Sequence, residues 1–248
     1  NRRWSKRSVG PSGGHPRRAY SIVRRTSRGV KTPAVGLGGR QDLDVSSPPS
    51  GMASRFGPGD VSFFDRVANL YDLAMPAARV GVLRDGFAFA DRRIERVVDL
   101  AGGTGRAASG LAGAGFDPIV VDASSGMLRR ARATGHDAVR GDVGALPLGD
   151  DTVDAAVIVD ALHHLPDPES ALAAAREVIR PGGVLVVQEF HPGTRRGRAL
   201  AAAERFVGFD STFRAPEELC ASLSAAGFEA RVVCEGFGYV VVGRVPHR

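Results

Sequence analysis

Asp99, Asp122, Asp142 and Asp160 each stand in or just after a short apolar run. The runs are Arg96–Leu100, Pro118–Val121, Ala138–Arg140 and Asp154–Val159. After the first comes Asp99-Leu100-Ala101-Gly102-Gly103-Thr104-Gly105. Glycines let a backbone take positive φ and approach a ligand closely, and a helix starting near Arg106 presents free N–H groups to it. Gly103-x-Gly105-x-x-Ala108 matches the G-x-G-x-x-A dinucleotide fingerprint, but a tight turn without a ligand reads the same way. Asp122, 23 residues after Asp99, can accept both hydroxyls of an adenosine ribose. That suits a nicotinamide cofactor and S-adenosylmethionine equally. Asp142 precedes Val143 and the apolar Leu146-Pro147. Its carboxylate can take an adenine amino group while Val143 offers a backbone N–H, although Asp is also favoured in turns and caps.

These loops need a frame that brings them together. Helical spacing of Phe64, Val67, Ala68 and Tyr71 predicts a helix from residue 61, interrupted at Pro76. Strands are predicted at 96–100, 118–121, 138–140, 154–159, 184–190, 230–234 and 239–244. Helices are predicted at 107–114, 125–134, 169–179 and 216–226, with Gly115, Gly135, Gly182 and Gly227 as stops. This alternation predicts an α/β fold with a doubly wound, mostly parallel sheet covered on both faces. The short Gly236/Gly238 turn makes the last two strands antiparallel. Ligands of such sheets bind beyond the carboxyl ends of the strands, where all these loops lie.

Charge and composition bound the function. The chain has 248 residues, 43% of them apolar, and no apolar run near 18 residues, so no spanning helix is expected. Cys220 and Cys234 form no C-x-x-C pair, which argues against a disulfide scaffold or cysteine zinc site. The net charge of +6 suggests a nucleic-acid binder. However, residues 1–51 hold 11 of the 33 Lys and Arg and only two of the 27 acids, and both lysines. We read 1–51 as a basic, disordered extension and 52–248 as the folded domain. The extension fits a nucleic-acid arm, a transit-like presequence, or upstream sequence ahead of a true start at Met52. The mildly acidic remainder makes nucleic acid an unexpected partner.

In order, the motifs resemble the class I S-adenosylmethionine-dependent methyltransferases. They are the glycine loop, Asp122-x-Ser124-x-x-Met127-Leu128, Gly141-Asp142-x-x-x-Leu146-Pro147, Asp160-Ala161-Leu162-His163-His164-Leu165 and Arg180-Pro181-Gly182-Gly183. The resemblance implies a seven-stranded sheet with an antiparallel last strand. A narrower resemblance is to the quinone-biosynthesis C-methyltransferases, which methylate demethylmenaquinone or a ubiquinone precursor. It rests on Phe64-Asp65-Arg66-Val67-Ala68, Tyr71-Asp72, the glycine loop with Ala101 for the usual first Gly, Glu189-Phe190, and Phe213–Leu219 leading to Ala226-Gly227-Phe228. Arg106 replaces a frequent Asp, the stretch after Asp160 is the generic small-molecule form, and the segment between Glu189 and Phe213 is short for a substrate lid.

The resemblance implies S-adenosylmethionine as cofactor. Asp99 would serve its amino-acid end, Gly102, Gly103, Thr104 and Gly105 the close approach, Asp122 the ribose, and Asp142 and Val143 the adenine. Asp160 would face the sulfonium, and Tyr71 would close over the cofactor. Candidate bases for a quinol hydroxyl are His163, His164, His191 and Glu189. His163, His164 and Asp167 match no zinc template, so no metal is expected. The expected substrate is a small molecule or quinol. The expected location is cytoplasmic, with transient membrane contact through the first helix and residues 191–214, where Phe63, Phe64, Phe206, Phe209 and Phe213 lie. A nucleotide-binding oxidoreductase, a nucleic-acid methyltransferase and a non-catalytic binding module are the alternatives.

Overall fold

The computed structural model describes residues 60–74 and 79–247. The basic extension and the interruption at Pro76 lie outside the described residues. The first elements among the described residues are α1 (Val61–Ala74) and α2 (Val80–Phe87). There follow β1 (Arg96–Leu100), α3 (Arg106–Gly113), β2 (Asp117–Asp122), α4 (Ser125–Ala133), β3 (Asp137–Arg140) and β4 (Val153–Val159). A single 3-10 turn at Leu162–His164 leads to α5 (Pro168–Val178) and β5 (Ile179–Phe190). The remainder is α6 (Arg195–Val207), α7 (Pro216–Ala225), β6 (Glu229–Cys234) and β7 (Gly238–Arg244).

The seven strands form one sheet in the order β3-β2-β1-β4-β5-β7-β6. β1 to β5 pair in parallel, and β7 runs antiparallel between β5 and β6. The mostly parallel sheet with an antiparallel last strand is therefore as expected. Alternation along each strand divides the core between the two faces. Val97, Ala155, Val157, Val184, Val186 and Val242 pack with Leu83 and Phe87 of α2 and Leu111 of α3. Val98, Ala156, Ile158, Leu185, Val187 and Val241 pack with Leu172 of α5 and Leu219 of α7.

α6 carries no expected element. Its only buried residue is Gly197, so it shows no apolar stripe for periodicity to detect. Thr194 caps it by accepting from Gly197 N–H at 3.0 Å. A Cβ at Gly197 would fall 1.9 Å from the His191 carbonyl oxygen, so only glycine allows this approach. Strand β5 also begins earlier than expected, at Ile179, and continues through Pro181-Gly182-Gly183.

At the amino edge, the buried Asp154 ties three strands together. Its Oδ2 accepts from Glu95 N–H at 3.2 Å and Arg96 N–H at 3.0 Å, and its Oδ1 accepts from Arg180 at 2.7 Å. Arg92 adds an ion pair at 3.1 Å. Burial pushes this carboxyl up, but the Arg96 N–H, Arg180 and the Glu95 N–H outweigh it and hold it below the usual carboxylate range. Asp154→Ala should cost about 2–3 kcal/mol of stability, read by urea denaturation. Because the folded-state pKa is depressed, this contribution is present above the ordinary Asp pKa and is lost as pH falls through the folded value.

Candidate functional site

Connections leave β1 and β4 toward opposite sides of the sheet, and the crevice beyond their carboxyl ends is a cavity of about 560 Å³. That volume lies within the range of small-molecule sites. The loops after β1, β2, β3 and β4 all contribute, and Val61 and Phe64 of α1 complete the wall. The β1–α3 loop coils through left-handed backbone at Ala101 (φ 52°), Gly103 (φ 57°) and Gly105 (φ 84°). Ala101 therefore holds a conformation that glycine adopts more readily. Gly102 is required for another reason: a Cβ there would meet the Asp99 carboxyl carbon at 2.5 Å.

Asp99 is 1% exposed. One oxygen, Oδ2, accepts from Ala108 N–H at 3.1 Å, while Oδ1 is buried without a hydrogen-bond partner. Burial pushes its carboxyl up to about 7, against the pull of the Ala108 N–H. Asp122 ties the glycine loop to β2: Oδ2 accepts from Gly103 N–H at 2.8 Å and Oδ1 from Ser124 N–H at 2.7 Å. Each oxygen keeps a second lone pair for a ligand. Burial raises the pKa of Asp122 despite these donors. Asp160, at φ 52°, accepts from Gln188 Nε2 at 3.0 Å, and burial raises its pKa as well. Asp142 is exposed and takes Gly144 N–H at 2.9 Å in a local turn beside the buried Val143.

The candidate bases divide. His164 lines the cavity; its Nδ1 faces Asp60 Oδ2 at 3.2 Å, and its ring packs against Phe64 and Phe209. His163, Glu189 and His191 are not part of the lining. His163 Nδ1 bonds Glu189 Oε2 at 2.6 Å, and both side chains are at most 5% exposed. Its ring stacks on Phe213 with centroids 4.4 Å apart. Glu189 also accepts from Leu162 N–H at 2.7 Å, so it fastens the β4–α5 loop to β5. His191 receives Gly193 N–H on Nδ1 at 3.2 Å and turns the backbone into α6. These three residues have structural partners and do not line the cavity, so among the candidate bases the geometry favours His164.

Of the expected cofactor residues, Asp99, Gly102, Gly103, Asp122, Asp142, Val143 and Asp160 line one cavity. Thr104 and Gly105 shape the loop without joining the lining. Tyr71 lies on α1, but its side chain is outside the described residues. Sequence reasoning assigned no role to Asp65, whose Oδ1 accepts from Gly126 N–H at 2.7 Å and from Ser124 Oγ, docking α1 onto the start of α4. It noted Arg106 only as a departure from the subfamily pattern and gave no role to Arg140; both are cations of the cavity wall. The Phe64-Asp65 pair in a predicted amphipathic helix was the available signal.

The His163–Glu189 pair has a testable signature. Desolvation would lower the His163 pKa, but Glu189, with help from Glu204, pushes it up to about 10. A raised histidine pKa gives stability that is complete below the unfolded value and is lost as pH rises through about 10. Glu189→Gln should cost about 3 kcal/mol near neutral pH by urea denaturation. The difference from the parent protein should narrow above the folded-state pKa.

Comparison with known proteins agrees with this geometry. Residues 98–187 match the family model described as a methyltransferase domain. The demethylmenaquinone methyltransferase of Renibacterium salmoninarum is 37% identical over 54% of this chain and 61% of its own length. That of Clavibacter sepedonicus is 36% identical over 58% of this chain and 64% of its own. The chain thus spans about three fifths of these curated relatives. A Thermotoga maritima S-adenosylmethionine-dependent methyltransferase, described as a possible histamine N-methyltransferase, superposes with a TM-score of 0.61 at 25% identity, over 74% of this chain and 98% of that one. The cyclase SpnF superposes at 0.62 with 18% identity, over 80% and 100%. Residues 98–187 thus resemble a methyltransferase domain, set in a sheet of the Rossmann-like methyltransferase fold, and this likeness implies S-adenosylmethionine as cofactor.

Proposed function

We propose that the chain transfers a methyl group from S-adenosylmethionine to a carbon of a demethylated quinol, as the names of its relatives suggest. The observation that carries the cofactor part is Asp99 Oδ1, a buried carboxylate oxygen at the cavity wall with no partner. Burying such an atom unpaired is costly, and a cofactor ammonium group satisfies it. When bound, S-adenosylmethionine supplies an electrophilic methyl carbon on a sulfonium. Asp99 holds the amino-acid end, Asp122 the ribose hydroxyls, and Asp142 with Val143 the adenine edge. Asp160 places a carboxylate toward the positive sulfonium. Val61 and Phe64 keep water out. His164, the one candidate base on the cavity wall, acts on the acceptor hydroxyl. The fold alone does not fix the reaction, since the cyclase SpnF shares it.

A second reading, a generic small-molecule O- or N-methyltransferase, is favoured by Asp160-Ala161-Leu162-His163-His164 in its generic form. Access to a membrane-dissolved quinol would use α6, where Arg195, Arg196, Arg198 and Arg205 are exposed and Phe206 is 93% exposed. Phe63, Phe64 and Phe209 pack on one another, and Phe213 packs on His163, so they contribute less to such a surface. Among the described residues, no helix is long and apolar enough to cross a membrane.

A transfer assay with labelled cofactor should show turnover of a demethylated menaquinol above small phenols and RNA; turnover of phenols alone would select the generic reading. Asp122→Ala should weaken cofactor binding by about tenfold or more, a loss of about 1.4 kcal/mol; unchanged affinity would refute the ribose assignment. Asp99 is neutral below its raised pKa of about 7 and ionised above it. Cofactor affinity should therefore rise from about pH 6 to about pH 8, and Asp99→Asn should flatten that rise in a calorimetric titration.

A further inference from the structure

We propose that His163, His164 and Glu204 form a site for a divalent transition-metal ion of the Zn²⁺ type at the edge of the cavity. A ring nitrogen of each histidine and a carboxylate oxygen of Glu204 all lie within 4.8 Å of one another. His163 Nε2 stands 3.7 Å from Glu204 Oε1. That is too long for a hydrogen bond. It is close to the separation of about 3.4 Å between two ligands of one tetrahedral zinc.

Three further observations favour an ion over a chance cluster. His163 gives its Nδ1 to Glu189 at 2.6 Å, which fixes the ring and aims Nε2 at Glu204. Metal-binding histidines use their second nitrogen in this way. Glu204 is 13% exposed, and its Oε2 is buried with no hydrogen-bond partner. His164 is held by Asp60 at 3.2 Å and by Ser211 Oγ at 3.3 Å, so its ring too is positioned before any ligand arrives. Two carboxylates, Glu189 and Glu204, flank one imidazole, and a bound ion takes the place of the proton on Nε2 in balancing them.

The donor set selects the metal. Two imidazoles and one carboxylate suit Zn²⁺ and its transition-metal neighbours, whereas Mg²⁺ prefers oxygen ligands. Asp167, the acid nearest in sequence, instead caps α5 by accepting from Ser170 N–H at 3.0 Å. The third ligand comes from α6, 40 residues beyond His164. Three protein ligands leave a position open, and His164 lines the cavity. An acceptor hydroxyl there would be polarised by the ion, which would replace His164 as the activating group; that role rests on the methyl-transfer reading, whereas metal binding itself does not.

The test uses the full chain without a histidine tag, stripped with a chelator and dialysed against Zn²⁺ or Mg²⁺, with bound metal measured by mass spectrometry. The proposal predicts about one Zn²⁺ per chain, no retained Mg²⁺, and a Zn²⁺ affinity at least about tenfold weaker in Glu204→Ala. Glu204 sits on a helix that buries only Gly197, so this variant should keep its circular dichroism spectrum. His163→Ala should also lose the ion, and Co²⁺ should give visible absorption that both variants abolish. Zn²⁺ binding well below one equivalent, or full retention in folded Glu204→Ala, would overturn the site. Neither result depends on methyl transfer.

Discussion

A carboxylate taken out of water must be hydrogen-bonded, and the carboxyl edge of this sheet is organised by that requirement. Asp99, Asp122, Asp160 and Glu189 each lie at or just beyond the carboxyl end of a strand, and each is held by a donor from a neighbouring helix, loop or strand. Asp122 fixes the glycine loop through Gly103. Glu189 fixes the β4–α5 loop through Leu162 and His163. Of these four, Asp99 keeps one buried oxygen without a hydrogen-bond partner, at the cavity wall. The loops are thus pinned by groups whose charge the protein compensates locally, and the uncompensated remainder faces the cavity.

The surrounding helices close what the sheet opens. Asp65 docks α1 on the amino end of α4, which brings Val61 and Phe64 to the cavity. Phe64 and Phe209 then sandwich the approach to His164 from α1 and from the segment after α6. α6 itself contributes little to the core but delivers Glu204 to His163. The His164 side of the cavity therefore depends on two peripheral helices, while the glycine-loop side belongs to the sheet.

Much of this was legible in the residues. The apolar runs at 96–100, 118–121 and 154–159 are strands because their residues are buried on both faces, and such runs are read without tertiary information. Seven of the expected cofactor residues share one cavity because each follows a parallel strand. The histidines were less legible. Side by side in sequence, His163 and His164 face different surroundings: one gives its Nδ1 to Glu189 and the other lines the cavity. α6 was hidden because a helix that buries one glycine carries no period. Glu204 was hidden with it, since a pairing across 41 residues leaves no local pattern.

The central claim is that the cavity beyond β1 and β4 is built for a sulfonium cofactor. Its geometry before the β4 loop would serve a nicotinamide dinucleotide equally, because Asp122 and the glycine loop are common to both kinds of site. Calorimetric titration of the chain with S-adenosylmethionine and, separately, with NADH addresses this directly. The account predicts binding of S-adenosylmethionine and none of NADH at matched concentrations. Binding of NADH without S-adenosylmethionine would contradict it.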